Sequence, residues 1–203
     1  MSCFLPIAIP QCLIEETHGE EGVQDVDMVL NPPGADNVGW MRPDGNPNAN
    51  WLRGQIRDCE QDGDLAMGDI VDLNNGVINS ALSELADAVE TGDTSWDSSV
   101  WGPLPAQAPR SGIARNLYGG TWEAPAVVFD DPSYCQGGGG EWTGTAQVSG
   151  FVWVAVYDVV TSGPASERTI RTRIDTTRSH KVGTGSGGLS YGVEASGGAR
   201  MVR

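Results

Sequence analysis

Lysine is almost missing from this sequence. Lys181 is the only one among 203 residues, and 12 cationic side chains face 27 carboxylates, for a net charge of −15. Binding a polyanion needs a basic stripe, so this balance argues against nucleic acid as a partner. Its physical reading is solubility and resistance to self-association. Histidine is scarce too, with only His18 and His180, and no C-x-x-C spacing occurs, so zinc has no ligand pattern here. No run of 18 apolar residues exists to cross a bilayer. The N-terminus shows no basic stretch followed by a long apolar one. Contact with a membrane is therefore expected only through an anchor outside this sequence.

The signatures of catalysis are absent in the same way. No G-x-S-x-G elbow presents a serine, and Gly137 to Gly140 lacks the Lys-Ser/Thr of a phosphate loop. Glu15-Glu16 and Glu20-Glu21 are paired only along the chain, whereas acid–base work needs carboxylates held across a cleft. Cys12 and His18 are better read as a disulfide cysteine and an exposed histidine than as a thiol–imidazole pair. The expectation is a protein that is not an enzyme. A hydrolase with an acidic cleft is the weakest alternative.

Three sets of residues remain. Cys3, Cys12, Cys59 and Cys135 are scattered through an acidic, Trp-rich chain, which suits one or two disulfides and an oxidising, extracytoplasmic compartment. Four cysteines allow three complete pairings, and the spacing does not choose among them. Seven tryptophans divide in two. Trp40, Trp51 and Trp153 fall on expected elements and read as core. Trp96, Trp101, Trp122 and Trp142 fall in loops and are candidate contact surfaces for a protein or a sugar. Asp62, Asp64 and Asp69 are weak calcium candidates, because they lack the twelve-residue loop register and the closing glutamate. Calcium is thus the one cofactor weighed, and the expected number of cofactors is none.

The pattern predicts an α+β fold: a mainly antiparallel sheet with two amphipathic helices packed on it. Residues 4–10 alternate in a β-prone way, with prolines that suit an edge or a strand end. Short strands follow at 27–30 and 38–41. A helix from about Asn48 to Cys59 carries the stripe Ala49, Leu52, Ile56, Cys59. A strand at 70–73 precedes the clearest helix, capped by Asn74 or Asn75, with Ile78, Leu82, Leu85 and Val89 on one face. Residues 93–123 read as a long loop insertion. Strands are expected at 124–130, at 145–161 as the central strand, and at 168–177, the last two forming a hairpin. In that final strand Ile170 and Ile174 point inward and Arg171 and Arg173 outward. Residues 1–178 make one domain, and 179–203 a Gly/Ser-rich C-terminal tail.

The order of the short motifs resembles the C-terminal extracytoplasmic region of TadG-like Flp/Tad (tight adherence) pilus-assembly proteins. The positions that carry the resemblance are Pro6 to Pro10, Gly39-Trp40, Trp51 to Ile56, Gly68 to Gly76, Ala126 to Asp130 and Gly150 to Tyr157. The insertion at 93–123 and the tail depart from that pattern. The resemblance implies an extracellular or cell-envelope structural domain that acts through other protein subunits, in a homo-oligomer or filament, and it supplies no catalytic residue. The alternative function is a secreted carbohydrate- or calcium-dependent adhesion module.

Overall fold

The computed structural model describes residues 4–16, 22–30, 38–59, 65–74, 76–91, 96–103, 121–130 and 144–175. Among the described residues the fold is α+β, a seven-stranded, mostly antiparallel sheet with four α-helices. The strands are β1 (Leu5–Pro10), β2 (Val23–Val29), β3 (Gly39–Arg42), β4 (Ile70–Asn74), β5 (Trp122–Phe129), β6 (Gly144–Val159) and β7 (Thr169–Asp175). The helices are α1 (Gln11–Glu16), α2 (Ala49–Asp58), α3 (Asn79–Thr91) and the single turn α4 (Ser98–Trp101).

The strand order is β2-β7-β6-β4-β3-β1-β5, and β5 pairs back on β6. Five strands therefore close into a ring, β6-β4-β3-β1-β5, from which β7 and β2 extend as a wing. Each of those five strands thereby has a hydrogen-bonded neighbour on both sides. Every pairing is antiparallel except β1 with β5, which is parallel. The first strand is thus not at an edge. It lies between β3 and β5, and all six of its residues are buried. Pro6 is accommodated because the β1–β5 register slips between Leu5 and Ala8, and Pro10 is the last residue of the strand.

Two cores follow from the period-2 alternation of side chains. Ala8, Met41, Val71, Leu73, Val127, Phe129, Ala146 and Val148 come from all five ring strands and fill the enclosed face. The opposite face of the same strands, with Ile7, Trp40, Ala126, Val152, Val154 and Val156, packs under the helices through Leu52, Ile56, Leu82, Leu85 and Val89. Strand β6 serves both cores because of a bulge: its register with β5 slips at Ser149, whose hydroxyl donates to the Val128 carbonyl at 3.0 Å.

The helices start and stop for local reasons. The Asn48 side chain accepts the Trp51 amide at 3.1 Å and caps α2. The helix ends on Cys59, which takes the left-handed conformation usually left to glycine (φ 55°) and donates its amide to Gln55. Replacing Asn48 by alanine is expected to cost about 1 kcal/mol, read as a lower urea midpoint with an unchanged slope. Asn74 does not cap α3. Its side chain instead accepts the Gly76 amide at 2.8 Å and donates to Asn46 and Pro47, while the helix begins at Asn79. The expected apolar face of α3 is present, with Leu82, Leu85 and Val89 buried and Ile78 half-buried against them. The Gly/Ser-rich tail at 179–203 and the glycine run at 137–140 lie outside the described residues.

Candidate functional site

The helices cover one face of the β5-β6-β7-β2 sheet. The other face carries most of the charge that the described structure buries, and register explains how. Asp25 of β2 stands opposite Arg173 of β7, which stands opposite Ala155 of β6 and, beyond it, Glu123 of β5. One step along, Asp27 stands opposite Arg171, and Arg171 opposite Asp158. The arginines point away from the helices, as the alternation requires, but they are buried rather than solvated.

Arg173 is buried because a segment of the insertion folds over it. Its guanidinium forks onto Asp25, with Nε to Oδ1 at 2.6 Å and Nη2 to Oδ2 at 2.8 Å. Its Nη1 donates to the carbonyls of Trp101 and Pro103, the latter at 2.7 Å. The same guanidinium lies over the Trp96 ring, 5.3 Å from its centroid. Gly102 lets both carbonyls face one cation: it sits at φ 70°, and a β-carbon there would come within 3.5 Å of Arg173 Nη1. Trp101 donates its indole N–H to Glu123 at 2.8 Å, and Trp96 donates its own to the Gly102 carbonyl at 2.8 Å. Trp96 meets Tyr157 edge to face at 5.6 Å. Burial pushes the Tyr157 phenol well above its ordinary range, and Asp25 and Asp27 push it further, so it stays a neutral hydroxyl.

The second row is harder to satisfy. Asp158 is completely buried, and its charged partner among the described residues is Arg171, with Nη1 at 3.2 Å from Oδ2. Neither carboxylate oxygen accepts a well-aligned side-chain hydrogen bond. Burial raises its carboxyl above the ordinary aspartate range against the pull of Arg171 and of the Val159 backbone N–H, and Asp27 adds a smaller push. Asp158 reaches this face through a second bulge in β6: the register with β7 slips between Val156 and Asp158, leaving Tyr157 as the extra residue.

Chemically, this arrangement holds a segment in place. An arginine with fixed carbonyl, carboxylate and aromatic partners is committed, and the tyrosine remains protonated. The fate of each candidate residue follows. Trp101 is fully buried and offers no contact area, which corrects its expected place on a surface. Trp96 is half-buried within the clasp, and Trp122 is half-buried against the main core. Trp142 lies outside the described residues, as do Asp62 and Asp64. Asp69 closes a turn by accepting the Ala66 amide at 2.6 Å, and no cluster of three metal-ligating side chains occurs among the described residues. Cys12 and Cys59 are both disulfide-bonded, while Cys3 and Cys135 fall outside the described residues. Asp25, Asp158, Arg171 and Arg173 were not singled out in the sequence as site residues. The alternation of Arg171 and Arg173 with isoleucines was the available signal.

Fold and clasp together define a disulfide-bearing α+β domain built on a closed five-stranded ring with a charged wing. No family model matches the chain, and no curated protein or solved structure does either. The resemblance to tight-adherence pilus proteins therefore stands on its sequence motifs alone.

Proposed function

We propose that this chain is a non-enzymatic, extracytoplasmic structural domain of a surface appendage or envelope complex, of the Flp/Tad pilus-assembly kind, acting through contacts with other protein subunits. The observation that carries the reading is the disulfide bonding of Cys12 and Cys59, one in α1 and one at the C-terminal cap of α2. Persistent disulfides belong to oxidising compartments. The clasp supports the same reading, since Arg173, Trp96 and Trp101 are spent on fixing one segment to the sheet. A carbohydrate-binding module is less well served, because a sugar-stacking platform needs exposed rings and Trp101 is buried.

The test uses cells that make the protein. Non-reducing peptide mapping of material recovered from the envelope or medium should find Cys12 and Cys59 each in a disulfide. Deleting the coding sequence should remove surface fibres seen by electron microscopy, and restoring it should bring them back. Reduced cysteines in a cytosolic protein, or fibres unchanged by the deletion, would overturn the proposal.

A further inference from the structure

The Asp27–Arg171–Asp158 row has one cation between two acids, and the two acids are unlike. Asp27, on the outermost strand, is half-buried, whereas Asp158 has no solvent contact. Ionised, Asp158 pays a desolvation cost that a 3.2 Å approach to Arg171 and the Val159 backbone N–H do not fully offset. The other charges on this face among the described residues do not relieve it. Arg173 is forked onto Asp25 in the neighbouring row, Asp175 stands a row further on opposite Trp153, and the adjacent Tyr157 is a neutral phenol. One proton taken from solvent onto Asp158 removes that cost and leaves Arg171 facing the carboxylate of Asp27.

We propose that Asp158 is a proton-uptake site: its protonation in mild acid gives Arg171 over to Asp27 and tightens β2 on β7. The sign follows from linkage. A carboxylate whose folded-state affinity for protons exceeds its unfolded one makes its favourable contribution below the folded-state midpoint and loses it as pH rises through that midpoint. This group therefore strengthens the fold as pH falls from neutral toward the ordinary aspartate value of about 4, opposite to a salt-bridged surface aspartate.

The experiment is a carbon-13 titration of the Asp158 side chain in the full chain, with urea unfolding and amide exchange across the same pH range. Asp158 should titrate above the ordinary aspartate value, and Asp27→Asn should lower its midpoint. The wild-type urea midpoint should gain on the Asp158→Asn variant as pH falls. Protection of β2 and β7 amides, corrected for intrinsic exchange, should rise several-fold in the wild type alone. An Asp158 that titrates at or below the ordinary value overturns the proposal. So do wild-type and Asp158→Asn midpoints that run parallel with pH. Should Asp158→Asn fail to fold, the wild-type titration and its response to Asp27→Asn decide the matter.

Discussion

Trp101→Ala is expected to destabilise the protein by about 3–5 kcal/mol, the cost of removing a fully buried aromatic side chain that neighbours refill only in part. Three consequences travel together. The Glu123 carboxylate loses its indole donor, Trp96 loses its neighbour at 6.3 Å, and the carbonyls facing Arg173 lose the side chain that positions them. The loss should appear as a lower urea midpoint, accompanied by faster proteolysis within residues 96–103. A variant as stable as the wild type would show that the clasp rests lightly on the sheet and that Trp101 is free to serve a partner. Trp101→Phe retains most of the apolar volume but not the indole N–H, so it should lose less than the alanine variant.

Arg171→Met is the second large effect, and its size depends on pH. The substitution leaves Asp158 buried without a counter-charge, and removing one member of a buried ion pair costs about 3–5 kcal/mol at neutral pH. The cost should shrink as acid neutralises Asp158, because the destabilisation belongs to the carboxylate and not to lost volume. Adding Asp158→Asn to Arg171→Met should restore most of the stability at neutral pH, a non-additivity expected only for groups in direct contact. Equal destabilisation at neutral and acid pH, or additive single effects, would show that Arg171 acts through its packing alone. Urea titrations of the two single variants and the double variant, at two pH values, distinguish these outcomes.

The elements written in local pattern were legible. The alternation of Val152, Val154 and Val156 marked β6 as the long central strand, and the repeat of Leu82, Leu85 and Val89 marked α3, because burial of one face imposes its own period. The hairpin of β6 and β7 could be read from the short connection between them. Elements set by distant partners could not. The prolines of residues 4–10 suggested an edge, yet the strand is central, since a slipped register removes the conflict that proline would create. Asn74 looked like a helix cap and is a turn residue, because its side chain can bond the Gly76 amide two residues on as readily as it could cap a helix. Trp101 looked exposed because its neighbours are polar. Only Arg173, 72 residues away along the chain, shows why the segment is folded down.

The amino-acid sequence alone determined the acidic surface, the α+β class, the helix faces and the long central strand, since each of these is imposed by residues within one or two turns or a few strand steps of one another. Tertiary structure alone decided the closure of the ring, the burial of the clasp and the stranded carboxylate of Asp158. Each of those depends on residues far apart in the chain: β5 meeting β6, Arg173 meeting Trp101, and a slip of β6 against β7 that turns Asp158 onto the charged face.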